Sequence, residues 1–390
     1  MTSLTCLNAL VYDGSGNTPL SNAAVRVSDG VITHVGSTSE ATHWPASTTT
    51  IDAHGAPLCP GYIDIHHHGG GGMAYDDGPA AIDHIMAAHL AHGTTRCVMS
   101  FVTDDFATMT KRIAAAAQIV RTNPHLLGIH PEGPFLDPGH KGAHPLQELK
   151  DPLPEYLHQL IDAAAGTMVQ ITLAPEKTGG MEAVTTLRSH GIVPAVGHTT
   201  CSYEQANEAF ARGARILTHA FNAMNGIHHR APGPVIAALR DQRVFLEVIN
   251  DTIHVHPEVV ATLFAEAPQR VVLVTDAMSA TCNPDGDYML GQLAVTVTDG
   301  VARLQEGGSL AGSTLTMDCA VANAITKVHV DPAVAIAAAT SHPAQAIGMD
   351  DQYGYLRPGY PGDLLLLDPE TFLPTMIYTD DTQITPAAAR

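Results

Sequence analysis

Residues 64–72 read Asp-Ile-His-His-His-Gly-Gly-Gly-Gly, three adjacent imidazoles between an aspartate and a glycine run. The preceding "LCPGYIDI" places apolar and β-branched residues after a Pro-Gly turn signal, which predicts a strand beginning near Gly61 and ending at the glycines. Side chains alternate along a strand, so Asp64, His66 and His68 share one face, and Ile63, Ile65 and His67 share the other. Two imidazoles two residues apart on one face can grip a single metal ion. A solvated or packed histidine run is the alternative, and the rest of the chain has to decide between them.

Other residues of the same chemical kind recur where strands should end. Eight short β-rich runs, "GYIDIHHH", "TTRCVMSF", "LLGIHPEG", "MVQITLAPE", "IVPAVGHT", "ARILTHAF", "VFLEVIND" and "VVLVTDAM", are separated by stretches of helical composition such as residues 80–91, 105–120 and 203–212. Strand and helix alternating over about 220 residues is the pattern of a parallel (β/α)8 barrel of the TIM type. A doubly wound sheet is the competing α/β architecture, but "HHHGGGGM" lacks the glycine spacing of a dinucleotide fingerprint. The ends of the chain, with "AVRVSDGVITHVG" and "GYLRPGYPGDLLLLDPETFLPTMIYTD", read instead as short strands joined by glycine turns. The expected organisation is a small β-sandwich from residues 1–55 and 351–390, with a catalytic barrel over residues 56–350 inserted in it. A hairpin-like segment at residues 292–304 fits an insertion after the eighth strand.

In such a barrel the active site lies at the C-terminal ends of the strands. The first run ends in His66 and His68, the third in Glu132, the fifth in His198, the sixth in His219, the seventh in Asp251 and His254, and the eighth in Asp276. Histidines and carboxylates converging on one rim suit one or two divalent ions, and the nitrogen and oxygen donors point to zinc. A bound cation makes hydroxide available at neutral pH and polarises a carbonyl, and Asp276 would move the water proton to a leaving group. That chemistry is hydrolysis of an amide or ester.

Composition narrows the partners. With 39 acidic against 19 basic residues, the formal charge of −20 excludes nucleic acid and anionic membrane as natural partners. A small anionic substrate needs only a local cluster of donors. Six cysteines without any C-x-x-C pair suggest free thiols in a reducing compartment. No apolar run approaches membrane-span length and the N-terminus lacks a basic region followed by an apolar core, so a cytoplasmic location is expected.

The motifs "PGYIDIHHHGGGG", "HPEGPFLDPGHKGAHP", "VGHTT", "LTHAFNAM", "RAPG", "HVHPEVV", "TDAMSA" and "GGSLAGSTLTM", in this order between Pro60 and Gly348, make the chain resemble the amidohydrolase superfamily. Within it the chain is similar to the N-acetylglucosamine-6-phosphate deacetylase family. The resemblance implies Glu132, His198 and His219 as ligands of the principal metal and Asp276 as catalytic acid/base. It implies His66 and His68 as ligands of a second ion bridged by Glu132, with His67 structural. For an amino-sugar phosphate substrate it implies Ala143, His144, Asn222, Ala223, Arg230, Asp251, His254 and the loop Leu310, Ala311 and Gly312. It also implies a homodimer in which Arg230 reaches across from the neighbouring subunit.

Some members of the superfamily bridge their metals with a carboxylated lysine after the fourth strand, and Lys177 stands near that place. A solvated lysine is the simpler reading, with Glu176 beside it as a structural carboxylate. Thr252 departs from the family's usual glycine in the segment "NDTIHVHP"; if that backbone needs φ > 0, a β-branched residue is strained there. Three alternatives stand beside the main reading: the galactosamine epimer of the substrate, a cyclic-amide hydrolase, and a metal-bound scaffold without activity.

Overall fold

A computed structural model describes residues 2–387. Eight strands form one sheet in chain order: β1 Tyr62–His67, β2 Thr94–Val102, β3 Leu126–Glu132, β4 Gln170–Leu173, β5 Val193–Val196, β6 Ile216–Leu217, β7 Phe245–Ile249 and β8 Val271–Val274. Neighbours from β2 to β8 pair in parallel. The seam between β8 and β1 is bridged by backbone bonds just past the strand ends, from Asp276 N–H to the His66 carbonyl (2.9 Å) and from His68 N–H to the Ala277 carbonyl (2.7 Å). Asp64 adds a side-chain tie, accepting from the Thr275 hydroxyl at 2.5 Å. The architecture is the (β/α)8 barrel that the alternating runs predict.

The intervening helices sit where the composition places them. Residues 203–212 form a helix with those bounds, capped by Ser202 and Gln205 in a reciprocal capping box. The helix Phe106–Val120 starts after Asp105, whose carboxylate accepts from Thr108 N–H. The stretch at 80–91 is helical over Ile82–Leu90, preceded by a 3-10 turn at Pro79–Ala81.

By contact the chain divides into two units, one of Asp64–Ala88 and Arg96–Thr316 and the other of Met1–Ile63, His89–Thr95 and Met317–Arg390. The second unit holds an eight-stranded sheet drawn from both chain ends. Its central strand Ser3–Val11 pairs with Thr49–Asp52 at Leu4–Leu7 and with Pro57–Pro60 at Leu10–Val11, through an irregularity between Cys6 and Ala9. One bulged strand thus serves both halves of the expected sandwich, and Leu4, Cys6, Val25, Val27, Leu58, Leu364 and Tyr378 form its buried core.

The segment after β8 is a three-stranded antiparallel meander, Gly286–Leu290, Leu293–Thr298 and Val301–Leu304. It contains the expected hairpin with one further strand. Leu290, Val295, Val297 and Leu304 pack with Val102, Met278 and Ala311 in a satellite core, which seats the meander beside the barrel mouth.

Candidate active site

The strand ends deliver six side chains to one buried cup. Glu132, the last residue of β3, stands at its centre. The Nε2 atoms of His198 and His219 each lie 3.0 Å from Glu132 Oε1 and 3.0 Å from each other. On the other carboxylate oxygen, His68 Nε2 lies 3.2 Å from Glu132 Oε2 and 3.2 Å from Asp276 Oδ1. His66 Nε2 stands 3.5 Å from Glu132 Oε1 and 3.6 Å from Asp276 Oδ1, buried and without a hydrogen bond among the described residues. Two donor sets result, Glu132/His198/His219 and His66/His68/Glu132/Asp276, with Glu132 common to both.

These spacings suit divalent ions. Ligands about 2.0–2.1 Å from a tetrahedral zinc are separated by roughly 3.3 Å, and the distances just given, 3.0–3.6 Å, bracket that value. Tautomers point the same way. His198 Nδ1–H donates to the His140 carbonyl at 2.9 Å, which turns a bare Nε2 toward Glu132 and His219. His66 Nδ1–H donates to the Glu247 carboxylate at 3.1 Å, which does the same for its Nε2.

The electrostatics of the cup are a contest between burial and charge. Burial favours neutral imidazole at His68, yet its hydrogen bonds to Asp276 and Glu132 override this and push it up to about 9. The same contest leaves His66 well above, and His219 above, the ordinary histidine value. Burial likewise works against ionised Glu132, but His66 and His198 hold it well below the usual carboxylate range. In Asp276 burial is outweighed by the His68 hydrogen bond and the His66 charge. The histidines and the two carboxylates thus stabilise each other's charged forms, and a cation would serve the carboxylates in the same way.

The backbone reaches this geometry in two ways. His66 lies within β1 and His68 follows its end, so strand alternation places both. His198, His219 and Asp276 have φ of 47°, 26° and 49°, left-handed turns that swing the side chains inward from the strand ends. Gly142 supports the first turn: it has φ of 53°, and a Cβ there would stand 2.9 Å from His198 Cε1.

Beside the cup is a cavity of about 310 Å³ lined by His68, Glu132, His198, His219 and Asp276. Among the residues expected to meet the substrate, Ala143, His144, Asn222, Ala223, His254, Leu310 and Gly312 also line it. Burial takes His144 down to about 4, so it is neutral. Thr103 N–H donates to its Nδ1 at 3.3 Å, which leaves a protonated Nε2 facing Glu132 Oε2 at 3.4 Å. His254 Nδ1–H donates to Asp251 at 2.6 Å, so Asp251 orients His254 without lining the cavity itself. Ala311 is fully buried in the meander core. Arg230 sits on an exposed loop, donates to His229 Nε2, and is absent from the cavity lining among the described residues. Thr252 has φ of 69°, so the left-handed backbone exists there and carries a β-branched side chain.

The remaining sequence candidates have structural partners. His67 is buried, its ring edge-on to Tyr75 and its Nε2 3.2 Å from the Tyr75 hydroxyl. Lys177 pairs with Asp151 at 3.1 Å, and Glu176 accepts from Thr199 and from the Thr200 backbone and hydroxyl. Two residues escaped the reading of strand ends. Glu247 is fully buried in β7, and its only signal is one acidic residue within "VFLEVIN". His130 stacks edge-on against His66 at 4.6 Å and spans Ser100 on β2 and Thr172 on β4.

Comparison with known proteins gives the geometry its setting. The amidohydrolase family model matches residues 58–386. An N-acetylgalactosamine-6-phosphate deacetylase of Escherichia coli O157:H7 is 38% identical over 353 residues, 90% of this chain and 91% of that protein. An N-acetylglucosamine-6-phosphate deacetylase of Vibrio furnissii is 38% identical over 309 residues, 77% of this chain and 76% of the relative. The crystal structure of N-acetyl-D-glucosamine-6-phosphate deacetylase from Mycobacterium smegmatis superposes with a TM-score of 0.90 at 32% identity, covering 99% of this chain and 100% of that one. With the family model spanning most of its length and a cup that could hold metal at the rim of its barrel, the chain belongs to the amidohydrolase family.

Proposed function

We propose that the protein hydrolyses the acetamide of N-acetylglucosamine 6-phosphate, giving acetate and glucosamine 6-phosphate. The observation that carries this reading is the juxtaposition of the Glu132-centred cup, Asp276 and His144 on one cavity wall. Glu132, His198 and His219 would hold the principal ion, and His66 and His68 a second one with Glu132 and Asp276. Zinc fits the donor set best. Such a cation supplies water ionised at neutral pH and a Lewis acid for the carbonyl.

The chain's own groups account for the rest of the chemistry. Asp276 takes a proton from the water that attacks the acetamide carbon, and returns it to the sugar nitrogen as the C–N bond breaks. The new C–O bond belongs to acetate and the amine leaves with the sugar. Neutral His144 donates through Nε2–H to the acetamide oxygen, where negative charge grows in the transition state. His254, held by Asp251, offers its other ring nitrogen to the phosphate, with Asn222, Ala223 and the Leu310–Gly312 loop around the sugar. No Arg or Lys lines this cavity among the described residues. A dianionic phosphate therefore favours a homodimer in which Arg230 arrives from a second copy. All six cysteines are free thiols, which supports a cytoplasmic location.

The galactosamine epimer is a second reading, favoured by the wider coverage of the Escherichia coli O157:H7 relative at the same identity. A cyclic-amide hydrolase would need a bridging lysine, and Lys177 is engaged with Asp151. Acetate release from both amino-sugar phosphates tests the proposal. Faster turnover per KM on the glucosamine substrate is the expected result, the reverse order establishes the epimer, and no release from either with zinc supplied refutes both.

A further inference from the structure

Glu247 has no place among the ligands, yet it touches both halves of the cup. One oxygen, Oε2, accepts from His66 Nδ1–H at 3.1 Å and from His219 N–H at 3.3 Å. Its other oxygen, Oε1, is buried with no hydrogen-bond partner among the described residues. The carboxylate is fully buried on a strand whose neighbours, Leu246 and Val248, are fully buried and apolar. A carboxylate in such surroundings is costly unless cationic charge stands nearby. A leucine or valine would suit the strand better if packing were the only demand.

We infer that Glu247 is a positioning residue that selects the two-ion state, by fixing the His66 tautomer while anchoring the backbone of His219. A carboxylate only accepts, so when the His66 ring is neutral, as a metal ligand must be, its one proton is held on Nδ1 and the lone pair on Nε2. That lone pair faces Glu132 and Asp276, where His66 Nε2 has no hydrogen bond of its own. Without the acceptor, the His66 ring is free to carry its proton on Nε2, which closes the second subsite. The inference rests on the metal-centre reading above.

Metal titration of the stripped full-length protein tests it, using zinc alone as probe and following the two binding constants separately. Glu247→Leu should weaken the second ion by about ten- to a hundredfold, as loss of a carboxylate behind a ligating histidine does. Glu247→Gln can keep an oxygen at the Oε2 position, so it should recover part of that loss while preserving the fold. In metal-free protein labelled with nitrogen-15 histidine, at a pH alkaline enough to leave the His66 ring neutral, His66 should show its proton on Nδ1 in the parent and in Glu247→Gln, and a mixed or Nε2 form in Glu247→Leu. If the parent binds two ions and both variants bind the second as tightly, the inference is overturned and the metal-centre reading stands. If the parent itself binds no ion, that reading falls and the inference with it.

Discussion

At the end of the first strand His66 and His68 reach Glu132 along plain strand backbone, whereas His198 and His219 reach it from strand ends turned to φ of 47° and 26°. Their supports differ as well. His66 is oriented by a distant side chain, Glu247, 181 residues away in sequence, and His198 by the carbonyl of His140 at the end of a 3-10 turn. The regular half depends on periodicity and one buried charge. The turned half depends on a strained backbone held by a close-fitting loop, with Gly142 against the His198 ring. Candidate ligands of one kind can thus be placed by opposite means, and the two halves should fail differently when perturbed.

The largest effect should come at the residue that belongs to the second set and, in the proposed reaction, also moves protons. Asp276→Asn should lower kcat by about 10²–10⁴-fold while the Glu132/His198/His219 ion is kept, since an amide cannot shuttle a proton. Steady-state kinetics with a metal count checks this. Next come the ligand histidines. His198→Ala or His219→Ala should remove the first ion and with it activity, while His66→Ala or His68→Ala should reduce occupancy of the second and leave the first in place. His67→Ala, on the opposite strand face, should leave the metal content unchanged and lower stability only. Metal analysis of the five purified variants sharpens the contrast, and a metal loss in His67→Ala equal to that in His66→Ala would break the alternation behind it.

The smallest effect concerns backbone strain beside the cup. Thr252 holds φ of 69°, which costs a β-branched residue about 1–2 kcal/mol, part of which a glycine gives back as entropy in the unfolded chain. Thr252→Gly should raise stability by about 0.5–1 kcal/mol and shift Tm upward by a few degrees. A lower Tm would show that the threonine side chain contributes more packing than its backbone loses.

The barrel, and the gathering of the candidate site residues at its rim, can be read from the sequence because both rest on local rules. Eight β-rich runs in alternation with helical stretches imply the barrel, and His-x-His on a strand implies a shared face. The residue types at the ends of β3, β5, β6 and β8 marked the rim, since catalytic groups collect at the C-terminal ends of barrel strands. What escaped lies in long-range partnership. Glu247 is one acidic letter in an apolar run until the fold sets it 3.1 Å from His66. The His140 carbonyl carries no residue-type signature at all. In the sheet of the chain ends, Ser3–Val11 changes partners at a bulge, and such pairing across distant segments is not written in periodicity. Arg230, placed by motif alone, lies outside the cavity of its own chain.

The most direct test of the account is acetate release from N-acetylglucosamine 6-phosphate by protein stripped of metal and then titrated with zinc. The account predicts negligible release from the stripped protein and recovery that tracks filling of the Glu132/His198/His219 set. Undiminished release after complete metal removal, or none after zinc is restored, would contradict it.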